Sequence, residues 1–259
     1  MDFLFTTSAD GTRLRLGRLG AGSQDLLIVH GLAEHAERYS HVADFFVDHG
    51  YRVTIVELRG HGHSGGRRGH VFSWGDYRAD LQAAAKMCKP DYHLLAHSMG
   101  GLVTMDSLRE GLAPSKVILS NPLLGVKVRA PRIKIAAAGL LSKVWPTLSL
   151  SNELDSKGLS RDQTIVDAYN NDPLVYNTLT PRWYTEMRAA IERVRGATYT
   201  AKIGLFCSDT DPITNATSAK EVVVRAGGQV TEYPGMLHEI LNEIGKEQVM
   251  ADMLAFLKA

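Results

Sequence analysis

Cysteine is scarce in this sequence. Cys88 and Cys207 stand far apart in no paired motif, which argues against a disulfide framework or a zinc site, and both read as small buried hydrophobes. Neither charge is in excess: 29 Lys and Arg face 28 Asp and Glu, for a formal charge of +1. A domain that binds nucleic acid normally carries a strongly basic face, so none is expected here, and small amphiphilic molecules are the expected partners. Long apolar runs are missing as well. The most apolar stretch, residues 133–150, is interrupted by Lys134, Lys143 and Pro146 and is too short and too charged to span a bilayer comfortably. The N-terminus has no basic region followed by an apolar run, so the chain reads as cytoplasmic rather than secreted. Internal repeats and low-complexity segments are absent.

The 259 residues, 44% of them hydrophobic, fit one ordinary globular domain with a sizeable core. Strand signals fall at residues 3–6, 12–19, 26–29, 51–57, 92–96, 116–120, 201–207 and 229–233. Helical stretches separate most of them: one entered from the segment 30–39 and running to about residue 49, then others at about 76–88, 101–110, 182–194, 215–226 and 245–257. That alternation predicts a mostly parallel, eight-stranded sheet covered on both faces. It lapses between residues 123 and 182, where an apolar, basic helical segment (126–144), a polar loop and a helix at 161–170 read as a cap inserted after the sixth strand. The glycine-rich loop at 58–70 has neither the Gly-Lys-Ser/Thr ending of a phosphate cradle nor a helix opening from it. It reads as a wall beside the site, and no cofactor or metal is expected.

The stretch from Asp91 to Met105 carries the chemistry. A strand runs into the turn His97-Ser98-Met99-Gly100 and leaves as a helix, with small residues, Ala96 and Gly100, two positions either side of the serine. A turn this sharp requires them, because a larger substituent would collide with the strand or the helix. It lifts the Ser98 hydroxyl above the sheet and puts the Met99 amide at a helix N-terminus, where negative charge is favoured. This is the nucleophile elbow of an α/β-hydrolase. In that fold the order along the chain is Ser, then Asp or Glu, then His. Nine of the ten histidines lie at or before position 97, which leaves His238 as base. The turn after the preceding strand offers Asp209 and Asp211; Asp211 is favoured because the chain must first clear the sheet edge and Asp-Pro fixes it just beyond, with Asp209 as the alternative. Leu32, just after an earlier strand and near a helix start, is the candidate for a second oxyanion amide beside Met99. His35, His61, His63, His70 and His97 read as structural, as do Ser120 and Cys207.

Taken together, His30-Gly-Leu-Ala-Glu-His-Ala-Glu-Arg-Tyr, Arg59-Gly-His-Gly-His-Ser-Gly, His97-Ser-Met-Gly-Gly, Asp172-Pro-Leu and the turns at Asp211 and His238 resemble one family along nearly the whole chain. It is the monoacylglycerol lipases and bacterial lysophospholipases of the α/β-hydrolase superfamily, related to the serine aminopeptidases. The resemblance implies Ser98, Asp211 and His238 as triad and Leu32 and Met99 as oxyanion donors. It also implies that Glu34 and Arg38 hold a polar head group, against the plainer reading of an ion pair capping the first helix. Three positions depart from the family pattern: Ala96 for the first elbow glycine, Glu57 where Asp is usual, and Leu241 where animal members have a histidine that contacts glycerol.

The expected activity is hydrolysis of carboxylic esters with medium or long acyl chains, monoacylglycerol or lysophospholipid foremost. The alternatives are an aminopeptidase or amidase, and a ligand receptor with weak turnover. In the cap, Ile133, Ile135, Ala137, Leu140, Leu141, Val144 and Trp145 would line an acyl tunnel or touch a lipid surface, while Lys127, Arg129, Arg132 and Lys134 would meet anionic head groups in a peripheral membrane contact. The plainer expectation for most of the apolar ones is a cap helix packed on the sheet.

Overall fold

The computed structural model describes residues 1–127 and 131–259. Strands β1 (Asp2–Thr7), β2 (Arg13–Leu19), β3 (Gln24–Val29), β4 (Tyr51–Val56), β5 (His93–His97) and β6 (Lys116–Ser120) alternate with helices α1 (Ser40–Asp48), α2 (Trp74–Ala85) and α3 (Met99–Arg109) from β3 onward. The segment after β6 carries α4 (Arg132–Val144), β7 (Leu150–Ser151), α5 (Gln163–Asn171) and β8 (Thr178–Leu179). Then α6 (Pro181–Arg195), β9 (Lys202–Cys207), α7 (Ala216–Arg225), β10 (Gln229–Glu232) and α8 (Lys246–Lys258) complete the chain. Eight strands form one sheet in the order β1-β2-β4-β3-β5-β6-β9-β10, antiparallel across β1, β2 and β4 and parallel from β4 to β10. This is the mostly parallel eight-stranded sheet of the α/β-hydrolase fold.

The uninterrupted apolar runs of the central strands follow from burial on both faces. Leu27 and Val29 of β3 point into one core with Leu94 and Ala96 of β5 and Val117 and Leu119 of β6, under α2, α3, α6 and α7. Leu26 and Ile28 point the other way with Leu95 and Ile118, under α1 and α8. Several helix starts are capped by short polar side chains: Ser73 and Asp76 form a capping box on α2, Thr180 precedes Pro181 at the start of α6, and Asn215 caps α7.

Three expectations are corrected. The passage into the first helix is longer than expected: residues 30–35 are loop, with Ala33 at φ 61°, then a short 3₁₀ turn at Ala36–Tyr39 before α1. Where no strand was expected, β7 and β8 form a two-residue antiparallel ladder. The apolar cap helix starts at Arg132, and its apolar side chains are not packed on the sheet: Ile133, Leu140, Val144 and Trp145 are 79%, 65%, 71% and 59% exposed. Helix α4 rests on α6, where Ser142 hydrogen-bonds Thr185 and its carbonyl accepts from Arg182. Arg129 and two neighbours in the expected helical segment lie outside the described residues. Among the described residues no helix is long and apolar enough to cross a membrane.

Candidate active site

Parallel strands deliver their following loops to one edge of the sheet, which brings residues far apart in sequence to one place. Ser98, between β5 and α3, sits at φ 51°, ψ −118°, a conformation rare for a residue with a side chain. The elbow is pinned to the neighbouring strand end, since the Ser98 amide donates to Ser120 O (3.0 Å) and its carbonyl accepts from the Leu123 amide (2.9 Å). Gly100 is required by a close approach: a Cβ there would lie 2.5 Å from Val29 O and 2.6 Å from His30 O.

The Ser98 hydroxyl donates to His238 Nε2 at 2.9 Å, and His238 Nδ1 donates to Asp211 Oδ2 at 2.8 Å. The tautomer follows from the partner, because an ionised carboxylate only accepts. Burial alone would lower the basicity of His238, but the charge and hydrogen bond of Asp211, together with the charges of Glu239 and Glu34, outweigh it and lift its pKa above 6.5. Burial likewise opposes ionisation of Asp211, and the imidazole and its hydrogen bonds hold its pKa below 3.8. Asp211 also accepts from the amides of Ile213 (2.7 Å) and Thr214 (3.1 Å) and from the Thr214 hydroxyl (2.5 Å), so its orientation is fixed. Asp209 is exposed and makes no bond to His238.

A cavity of about 850 Å³ opens over this chain of bonds. Leu32 borders it beside Ser98, and among the described residues its amide makes no hydrogen bond. Met99, first residue of α3, has no carbonyl one turn back to donate to. Leu123, Leu179, Trp183, Tyr184 and Met187 give the cavity an apolar wall, and Glu34, Tyr169 and Glu239 give it a polar side.

Glu34 and Arg38 do not pair with each other. Arg38 Nη2 donates to both carboxylate oxygens of Glu239 (2.8 and 2.7 Å), while Glu34 accepts from the Tyr39 hydroxyl (2.7 Å). Arg38 therefore joins the first loop to the residue after His238, which corrects the helix-capping alternative. Leu241 is buried in the core under α1 and α8, with its carbonyl accepting from His41 Nε2 (2.7 Å). Glu57 is fully buried and accepts from Arg15 and from the amides of Ala36 and His63. His35, Glu37 and Glu57 come close enough to suggest a cation site, but the Arg15 guanidinium already bridges Glu37 and Glu57 at 2.6 Å from each.

One residue that organises the site was passed over in the sequence. Asn121, at φ 38°, follows β6 with its side chain turned across the triad loops. Its Oδ1 accepts from the Ser208 amide (2.9 Å), and its Nδ2 donates to the carbonyls of His238 (2.8 Å) and Leu237 (3.2 Å). The available signal was Ser-Asn-Pro at a strand end, because Asn tolerates positive φ better than most residues.

Comparison with known proteins gives the family. Residues 23–245 match the family model described as serine aminopeptidase, S33. The monoacylglycerol lipase of Mycolicibacterium smegmatis is 30% identical over 244 residues, covering 90% of this chain and 87% of that protein. Phospholipase YtpA of Bacillus subtilis is 28% identical over 242 residues, covering 89% and 93%. By contrast, the chain spans 26% of a longer Dictyostelium discoideum protein to which it is 27% identical. The crystal structure of the Paleococcus ferrophilus monoacylglycerol lipase superposes with a TM-score of 0.88 at 25% identity, over 99% of this chain and 98% of that one. With most of its length inside that match, the chain belongs to the serine aminopeptidase, S33, family of α/β-hydrolases.

Proposed function

We propose that the protein hydrolyses carboxylic esters of amphiphilic molecules, monoacylglycerols or lysophospholipids, through an acyl-enzyme on Ser98. The observation that carries this reading is the hydrogen-bonded series Ser98, His238, Asp211 at the floor of a cavity with one apolar wall and one polar side. A cavity of about 850 Å³ is of the size that encloses a ligand of several hundred cubic ångströms, as a long acyl chain with a small head group requires.

In the first half-reaction Ser98 Oγ attacks the ester carbonyl carbon while His238 Nε2 takes its proton. Asp211 stabilises the imidazolium without taking the proton. The amides of Leu32 and Met99 receive the negative oxygen of the tetrahedral intermediate, each such donor being worth roughly 3 to 4 kcal/mol in comparable sites. Collapse breaks the bond to the alcohol, which leaves with the proton from His238. Water then repeats the sequence on the acyl-enzyme, releasing the fatty acid and restoring Ser98. The acyl chain lies along Leu123, Leu179, Trp183, Tyr184 and Met187, and the alcohol faces Glu34 and the Arg38–Glu239 pair. The exposed apolar side chains of α4 support peripheral contact with a lipid surface, where such substrates reside.

Fluorophosphonate labelling and a panel of p-nitrophenyl esters of graded acyl length test this reading. Ser98→Ala should abolish labelling and reduce turnover to background, and the wild type should prefer acyl esters to aminoacyl amides. Full activity in Ser98→Ala would overturn the assignment of the nucleophile, and a preference for aminoacyl amides would overturn the substrate class.

A further inference from the structure

We propose that Glu243 is a positioning residue for His238, and that together with residues 158–161 it brings the base to its working position only when that segment is seated. The inference rests on the reading of Ser98 and His238 as nucleophile and base. Residues 237–244 have little structure of their own, only a 3₁₀ turn at Ile240–Asn242, so the loop that carries the base must be held from outside.

Glu243 holds it from below. Its side chain is fully buried, and five hydrogen bonds converge on the carboxylate. Oε1 accepts from the amides of Leu237 (3.0 Å) and Arg161 (3.0 Å) and from Arg161 Nε (3.1 Å). Oε2 accepts from the Ile244 amide (2.8 Å) and again from Arg161 Nε (3.0 Å). One carboxylate thus fixes the residue before His238, the far end of its loop, and the segment from the insertion.

The insertion holds the loop from the other side. The His238 amide donates to Gly158 O (3.1 Å) and the Glu239 amide to Leu159 O (2.8 Å). The Ser160 hydroxyl donates to Asn242 O (3.0 Å). Gly158 also packs on the acid loop, since a Cβ there would lie 2.8 Å from Pro212 Cγ. The beginning of the insertion is fastened to that same loop: the Lys127 amide donates to Ile213 O and the Asn215 amide to Gly125 O, both at 3.0 Å. The insertion between β6 and α6 is therefore tied to the loops of both His238 and Asp211. Arg161 is the charged link between this insertion and Glu243, and without its side chain the buried carboxylate keeps only its amide donors.

The test uses Arg161→Ala, Arg161→Lys and Glu243→Gln in the full-length chain, with Ser98→Ala as reference. Thermal melting, kcat and KM on p-nitrophenyl butyrate, and the rate constant for fluorophosphonate labelling are measured for each. A misplacement of about an ångström at a reacting group costs up to ~100-fold, so Arg161→Ala and Glu243→Gln should lose roughly tenfold or more in kcat and in labelling rate, with KM changed less than about twofold. Arg161→Lys, which keeps a cation beside the carboxylate, should recover most of the loss. A purely structural role would lower the melting temperature while leaving kcat per folded molecule at the wild-type value, and that result overturns the proposal. Wild-type labelling by Arg161→Ala overturns it too, and this variant decides the matter if Glu243→Gln does not fold. Retained activity in Ser98→Ala would instead remove the underlying reading, so the two failures are distinguishable.

Discussion

Replacing Gly100 by alanine probes why the elbow demands glycine two positions after the serine. The added Cβ would meet Val29 O at 2.5 Å, His30 O at 2.6 Å and Val29 C at 2.9 Å, all backbone atoms at the end of β3 that no rotamer change can move. Ordinary contact begins near 3.4 Å, so the elbow and the strand end must separate by the difference, about 0.9 Å. Both move groups the reaction needs, because Ser98 lies on one side of the contact and the loop to Leu32 on the other. Overpacking of this kind costs about 1–3 kcal/mol, which for a chain of this size lowers Tm by roughly 2–10 °C. A shift approaching 1 Å between nucleophile and oxyanion donor should reduce kcat on p-nitrophenyl butyrate by roughly 10²-fold. Gly139→Ala is the control: a Cβ at that position of α4 meets nothing within 4 Å, so a gain of about 0.5–1 kcal/mol from helix propensity is expected. Gly100→Ala with kcat within about threefold of wild type and an unchanged Tm would refute the close-approach reasoning.

Further consequences are as direct. Since the Asp211 charge raises the pKa of His238 and the base works only when neutral, kcat/KM should fall as pH drops through a midpoint above 6.5. Asp211→Asn should move that acid limb to lower pH and reduce kcat by roughly 10⁴-fold; an unmoved limb would mean that another group titrates. Glu57→Ala strips the buried Arg15 of one carboxylate partner and leaves the Ala36 and His63 amides without theirs, so a loss of about 3–5 kcal/mol is expected in urea denaturation, and a loss below about 1 kcal/mol would contradict it. Asn121→Ala removes the bonds to Ser208, Leu237 and His238, and should slow fluorophosphonate labelling by about tenfold or more; an unaltered rate would show that the His238 loop does not need that link.

What the sequence disclosed and what it hid divide along the range of the interactions involved. The elbow at Ser98 was legible because its constraints are local: two small neighbours, a buried strand before and a helix after. His238 was legible through chain order, a topological rule that ten histidines happened to satisfy in one way. The choice between Asp209 and Asp211 needed only the turn, and the structure brings Asp211 to His238 and leaves Asp209 in solvent. By contrast, Arg38 finds Glu239 across 201 positions and Asn121 finds His238 across 117, and no periodicity or motif spacing encodes such pairs. The two-residue ladder of β7 and β8 is too short to leave an alternating pattern. Apolar content in α4 identified a helix but not what covers it. A helix apolar on several sides normally reads as buried, yet α4 presents Ile133, Leu140 and Val144 to the outside, with Trp145 exposed just past its end.

The same division separates reactivity from selectivity. Ser98 and Asn121 directly follow β5 and β6, and Asp211 and His238 lie in the loops after β9 and β10, all at one edge of a sheet whose two faces are buried. The cavity wall is drawn from elsewhere, with Leu123 and Leu179 in the insertion and Trp183, Tyr184 and Met187 on α6. On the proposed function, a substitution among the triad loops should change the barrier for every substrate alike, while one on the wall should change which acyl chain reaches it. The two are joined where residues 158–161 meet the His238 loop. There a change in the insertion reaches the reacting atoms without touching the substrate, through hydrogen bonds to Gly158 O and Leu159 O and the Arg161–Glu243 pair.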